Sequence, residues 1–236
     1  MSDTNKPILL LIPGLLCDSR IWRDVVPHLQ DLAEPRMAEG LDRYDSVDAM
    51  ARAALELVDG PFAVAGYSFG GRIAFEMLRI APERITRLAV LDTGFNGVQP
   101  HEEKSRMGLV RLAHERGMAA LVRVWLPPML LAAHRKMPAI AGELEQMVLR
   151  RTPQSFENQQ RAALTRPDAT PGLGRINIPT LILVGRHDTW SPVAQHEELN
   201  RLIPGSRLEI IENSGHFTPV EQPDAVGVAM RDWLNW

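Results

Sequence analysis

Apolar residues recur along this chain in two alternating rhythms. Ile8-Leu9-Leu10-Leu11-Ile12 is an unbroken apolar run stopped by Pro13-Gly14, the pattern of a strand buried on both faces of a parallel sheet. The spacing of Ile21, Trp22, Val25 and Leu29 predicts a helix over 19–32, and a weak strand follows near 36–38. Ser46 is placed to cap a helix over 46–58, with Val47, Met50, Ala54 and Leu57 on one face. A short apolar strand is predicted at 62–65, a helix at 72–80 closed by Pro82, and a second buried strand at 85–91. Strand, helix, strand, helix in this order argues for an α/β fold with a mostly parallel sheet and right-handed crossovers.

Between residues 96 and 173 the strand rhythm stops. Helical patterns run over 102–115, 118–125, 140–150 and 155–165, punctuated by Pro127-Pro128, Pro138, Pro153 and Pro167. Roughly 75 residues of helical pattern between two sheet strands is too long for an ordinary loop, so 96–173 is expected to form a separate cap-like layer. The earlier rhythm resumes with strands at 180–184 and 207–211 and helices at 193–202 and 224–234. The core is therefore expected to comprise 1–95 and 174–236.

Composition narrows the class. Of 236 residues, 45% are hydrophobic and 23% charged, the balance of an ordinary globular domain. A net charge of −3 offers no electrostatic footprint for nucleic acid or an anionic membrane. Cys17 is the one cysteine, so no internal disulfide is available. The first residues lack the basic and apolar regions of a leader, and no apolar run is long enough to span a bilayer. A cytoplasmic location is the expectation. The histidines show no ligand spacing, so neither metal nor cofactor is expected.

The chemistry starts at Gly66-Tyr67-Ser68-Phe69-Gly70-Gly71, a G-x-S-x-G turn between a predicted strand and a predicted helix. Such a turn holds the serine in a strained backbone conformation, with its hydroxyl above the sheet edge at a helix N-terminus. A serine hydroxyl needs a base, usually a histidine oriented by a carboxylate. Asp188 follows the predicted strand 180–184, and His216 follows the strand 207–211. In a parallel sheet both loops share the edge that carries Ser68, where open α/β folds bind ligands.

Gly-Tyr-Ser-Phe-Gly-Gly, Val184-Gly185-Arg186-His187-Asp188 and Asn213-Ser214-Gly215-His216-Phe217 together resemble the nucleophile, acid and histidine blocks of the α/β-hydrolase superfamily, esterase type with a helical cap. The resemblance covers nearly the whole chain. It implies Ser68 as nucleophile, His216 as base and Asp188 as the acid orienting it. The chain starts where the family's third strand would lie, implying a sheet of about six strands. The oxyanion donors would be the backbone amides of Phe69 and Leu15. Many relatives carry His-Gly where this chain has Pro13-Gly14, and Pro13 has no side-chain hydrogen bond with which to brace that loop.

Other residues are open to more than one reading. Asp92 also follows a strand, at the place where some family members carry the acid; Asp188 is preferred, leaving Asp92 to cap its loop. His187 reads as a loop residue, and Cys17 as packing beside the site. Arg72 reads either as an arginine paired at the sheet edge or as an anion contact. With the residues before it, Arg72 is also similar to the nucleophile block of a menaquinone-pathway synthase that uses the same three groups. In the cap, Met118, Leu121, Val122, Trp125, Leu126, Met129 and Leu130 pack mainly with each other, with Trp125 and Met129 candidates to roof an apolar substrate pocket.

The expected activity is cofactor-independent hydrolysis of a small-molecule carboxylic ester, with thioesters and lactones close behind. A lyase or carbon–carbon bond hydrolase using the same groups is one alternative. A hydrolase-fold small-molecule receptor with slow turnover is another.

Overall fold

The computed structural model describes residues 6–236. Residues 1–5, part of the stretch read as lacking leader character, lie outside that range. Six strands, β1 (Ile8–Ile12), β2 (Glu34–Met37), β3 (Phe62–Tyr67), β4 (Ile85–Leu91), β5 (Thr180–Gly185) and β6 (Arg207–Ile211), form one sheet in the order β2-β1-β3-β4-β5-β6. Every neighbouring pair is parallel, so all six strands end on one edge. The order reverses between β1 and β3, which creates a crevice there at the carboxyl edge.

Side-chain alternation builds a core on each face of the sheet. Leu9, Leu11, Ala63, Ala65, Leu91 and Leu183 point to one face, where Trp22 and Trp233 pack. Leu10, Ile12, Val64, Val90 and Ile182 point to the other, beneath helices α1 (Val47–Leu55) and α2 (Phe69–Ile80). Both faces are dry, which is why β1, β3 and β5 read as continuous apolar runs.

After β4 the chain forms α3 (Glu102–Arg116), α4 (Met118–Trp125), α5 (Glu143–Leu149), α6 (Pro153–Leu164) and the single turn α7 (Thr170–Leu173) before re-entering the sheet at β5. After β5 come α8 (Val193–Leu202), then, following β6, the short α9 (Thr218–Glu221) and α10 (Pro223–Leu234). No helix among the described residues is long and apolar enough to cross a membrane.

The structure corrects three local expectations. Residues 19–32 form no α-helix but two 3-10 turns, Ser19–Trp22 and Val26–His28. Pro27 removes the amide that a continuous helix would need, yet Ile21, Trp22, Val25 and Leu29 are all buried, so the apolar spacing marked the right face on the wrong backbone. Helix α2 starts at Phe69 and β3 runs to Tyr67, so the strand-to-helix turn is a single residue. The helix expected over 140–150 begins with a wide π-turn at Pro138–Gly142 and becomes regular at Glu143. Elsewhere Pro153, read as punctuation, sits in the first turn of α6 behind the Thr152 cap, the position where its missing N–H costs nothing.

Candidate active site

Ser68 is the single residue between β3 and α2, with φ 51° and ψ −116°. This is a strained conformation for a side-chain-bearing residue, and close packing enforces it. A Cβ on Gly66 would sit 2.4 Å from the Gly70 carbonyl oxygen, and one on Gly70 would sit 2.4 Å from that of Ile12. Only glycine lets the strand, the helix and the end of β1 approach so closely. Thr93, just past β4, donates its hydroxyl to the Ser68 carbonyl at 2.6 Å. The Ser68 side chain makes no capping bond to α2, which leaves its hydroxyl free for another partner.

That partner is His216. Ser68 Oγ lies 2.9 Å from His216 Nε2, and His216 Nδ1 lies 2.7 Å from Asp188 Oδ2. The other Asp188 oxygen accepts the amides of Trp190 at 2.7 Å and Ser191 at 3.0 Å. A carboxylate so held is an acceptor toward Nδ1, so the imidazole carries its proton there and presents Nε2 as a lone pair to the Ser68 hydroxyl. Asp188 and His216 are buried while Ser68 is partly open. This arrangement can draw a proton from Ser68 as its oxygen attacks an electrophilic carbon.

The His216 loop is fastened from several sides. Tyr67 donates its hydroxyl to the His216 carbonyl at 2.9 Å, and the His216 amide donates to the Met129 carbonyl at 2.8 Å. Glu221 Oε1 accepts the amides flanking His216, Gly215 at 2.9 Å and Phe217 at 3.2 Å. Its other oxygen accepts the Leu131 amide at 3.0 Å and meets His134 Nδ1 at 2.7 Å. Glu221, five residues after His216, carries no sequence signal beyond its spacing.

Asp92, the rival acid, does not reach His216. Its carboxyl accepts the Gly185 amide at 3.0 Å and the Thr218 hydroxyl, tying the ends of β4 and β5 to the segment after His216. Burial, then the nearby Asp188, pushes the Asp92 carboxyl well above the usual carboxylate range. His187 is exposed. Cys17 is buried, and burial raises its thiol far above the ordinary range, which disfavours the reactive thiolate.

His196, unassigned in the sequence, is also buried. The Thr93 amide donates to its Nε2 at 3.0 Å, and its Nδ1 faces the Pro192 carbonyl at 3.2 Å. An amide can only donate, so Nε2 is the acceptor and the ring is neutral. Burial lowers its pKa from 6.5 to about 4. Below pH 6.5 the unfolded chain gains a proton there that the folded chain refuses. The stability from this ring is complete above that pH and is lost as pH falls toward 4, by about 3 kcal/mol at most. Urea denaturation from pH 7 to pH 4.5 should therefore show a larger loss for the native chain than for His196→Gln. Equal slopes would exclude the effect.

Of the two expected oxyanion donors, Phe69 follows Ser68 directly in the chain and Leu15 lines the space over Ser68. Phe69 opens α2, where an amide has no intrahelical acceptor, and Leu15 N–H has no partner among the described residues. A small cavity of about 20 Å³ lies over Ser68, lined by Leu15, Cys17, Trp125, Met129, Trp190 and Phe217 among others. It has room for about one water. Trp125 and Trp190 also border a cavity of about 500 Å³ that contains Arg72, Arg106 and Arg166. Another cavity, of about 590 Å³, shares no lining residue with the Ser68 space.

Arg72 donates Nη1–H to the Asn96 carbonyl at 2.7 Å and has no carboxylate within ion-pair distance among the described residues. A Cβ on Gly94 would lie 2.5 Å from its Nη2, so Gly94 makes room for the guanidinium. Burial, then repulsion from Arg166 and Arg106, lowers its pKa to about 9. Arg106 and Arg166 share one carboxylate, Glu102. Burial alone would raise Glu102, but those two arginines overcome it and hold it at about 2. Glu102 and Asp168 both act on Arg72 from a distance, but neither pairs with it. Trp125 Nε1 is buried without a hydrogen-bond partner among the described residues.

Residues 9–228 match the model of the alpha/beta hydrolase family. The chain is 25% identical to a pimeloyl-(acyl-carrier protein) methyl ester esterase of Neisseria meningitidis, over all of this chain and 78% of that protein. It is 27% identical to a Bacillus subtilis protein assigned as a 2-succinyl-6-hydroxy-2,4-cyclohexadiene-1-carboxylate synthase, covering 72% of this chain and 64% of that one. Among solved structures, a thermophilic esterase from Thermogutta terrifontis superposes with a TM-score of 0.89 at 27% identity, covering 98% of this chain and 90% of that one.

Proposed function

The chain belongs to the alpha/beta hydrolase family, and from that membership we propose that it hydrolyses a carboxylic ester through an acyl-enzyme on Ser68. The observation that carries this reading is the 2.9 Å and 2.7 Å sequence of bonds from Ser68 through His216 to Asp188. Ser68 Oγ attacks the ester carbonyl while His216 Nε2 takes its proton, and Asp188 steadies the imidazolium. The Leu15 and Phe69 amides stabilise the oxyanion. His216 then protonates the departing alcohol and activates the water that releases the acid. Thioesters and lactones present the same carbonyl to the same groups. The helical layer over 96–173, which supplies Trp125 and Met129, acts in this reading as the cap that shapes the substrate.

The test is labelling by a fluorophosphonate probe together with a panel of aryl esters, thioesters and lactones. Labelling at Ser68 with turnover of at least one class is expected. No labelling of folded protein would sink the enzymatic reading and favour a receptor on the same fold.

A second reading rests on Arg72. A half-buried guanidinium with no carboxylate partner among the described residues, beside two more arginines, fits an anionic substrate group reached past Trp125 and Trp190. Relatives named as an ester hydrolase and as a synthase leave both chemistries in view. Arg72→Met is expected to raise KM for an aryl ester bearing a terminal carboxylate about tenfold, against less than about twofold for its neutral counterpart. An equal effect on both esters would reduce Arg72 to a structural role.

A further inference from the structure

We propose that Gln159, in the middle of α6, positions the Leu15 amide for oxyanion binding, and that it replaces the bracing that Pro13 cannot supply. This inference rests on the Ser68 reading above. Leu16 N–H donates to Gln159 Oε1 at 2.9 Å, a buried bond between residues 143 apart in sequence. Because an amide can only donate, the Gln159 atom facing it is the oxygen. Leu16 sits at φ 59°, a left-handed conformation that is costly for a leucine and persists only where its surroundings enforce it.

The peptide groups between Gly14 and Cys17 are held. The Gly14 carbonyl, on the far side of the peptide that carries Leu15 N–H, accepts the Cys17 amide at 3.2 Å. The Leu15 carbonyl accepts the Cys17 thiol at 3.3 Å, while Leu16 N–H on the same peptide goes to Gln159. The Cys17 carbonyl accepts Arg151 Nη2–H at 2.8 Å. Two side chains from the helical segment, Gln159 and Arg151, thus grip the loop after β1. With Leu16 N–H committed to Gln159, Leu15 N–H is the amide left to face the site. Without that acceptor, Leu16 N–H would be buried and unpaired, and turning the loop to satisfy it would carry Leu15 N–H away from Ser68.

Gln159 acts through Leu15 and so is a positioning residue; its effect should fall on the transition state rather than on substrate affinity. The test compares Gln159→Met, which keeps the length but loses the oxygen, with Gln159→Glu, which keeps an acceptor. With p-nitrophenyl butyrate, Gln159→Met should lower kcat about tenfold or more with KM within about twofold, and Gln159→Glu should stay within about threefold of the native chain. The Ki of a trifluoromethyl ketone, which forms an oxyanion on the serine, should rise in proportion to the loss in kcat/KM for Gln159→Met. If Gln159→Met does not fold, Gln159→Asn, which withdraws the amide by one methylene, should show the same loss.

An unchanged kcat or unchanged ketone Ki in the acceptor-deficient variant, or equal impairment of Gln159→Glu, would overturn the inference. An active Ser68→Ala chain would instead overturn the reading beneath it. An inactive Ser68→Ala chain beside an unimpaired Gln159→Met chain sinks the Gln159 role alone.

Discussion

Ser68→Ala is expected to lower kcat for aryl ester hydrolysis by about a millionfold, with labelling by fluorophosphonate lost altogether. The physical basis is the absence of any second nucleophile on His216: Nε2 has Ser68 Oγ at 2.9 Å, and Cys17, the other candidate bordering that space, is held as a thiol by burial. The change should cost little stability. Alanine keeps the Cβ, and the Ser68 hydroxyl makes no capping bond to α2. The glycine packing that imposes φ 51° is untouched. Circular dichroism and thermal melting would establish that the variant is folded. Substantial turnover by folded Ser68→Ala protein would refute the acyl-enzyme mechanism.

Asp188→Asn carries the second largest expected effect, a loss in kcat of about 10⁴. The two carboxylate oxygens have different partners, and this decides how an amide would sit. One oxygen accepts the amides of Trp190 and Ser191, so the asparagine oxygen must take that place. Its NH₂ then faces His216 Nδ1, which becomes an acceptor. The ring proton moves to Nε2 and points at Ser68, and the imidazole can no longer receive the serine's proton. Asp92→Asn supplies the contrast. Its oxygen can keep the Gly185 amide while its NH₂ donates to Thr218, so kcat should fall by less than about tenfold. Steady-state kinetics on the two folded variants separates the acids, and the reverse order of losses would move the orienting role to Asp92.

Much of the frame was legible because burial on both faces leaves a plain mark. The strands β1, β3 and β5 had to be apolar at every position or nearly so, and they read that way. Strand β2, with Glu34 exposed and Pro35 at the sheet edge, carried only a weak pattern because an edge strand need not be apolar. The segment 19–32 shows the limit of spacing. Its apolar positions identified the residues that would be buried, but Pro27 turned the backbone into two short turns.

Ser68, Asp188 and His216 were legible as residues expected to meet because each comes just after a strand, and parallel strands deliver their succeeding loops to one edge. Residues that hold that set in place were not. Gln159 is one polar residue in a polar run of α6, Glu221 one acid in a short turn, and His196 one histidine on an ordinary helix. Nothing in their local spacing separates a buried hydrogen-bonding role from an exposed one.

The sequence by itself determined the α/β order of elements, the strand-to-helix turn at Ser68 and the edge at which its partners would lie. These come from periodicity, from glycine at a strained turn and from the common direction of parallel strands. Only the tertiary structure decided that Asp188 rather than Asp92 faces His216, that Arg72 has no carboxylate partner among the described residues, and that Gln159 reaches Leu16. Those outcomes depend on which polar atoms, far apart in the chain, are brought together out of water. A buried polar group needs a partner but does not specify in sequence which one it will find.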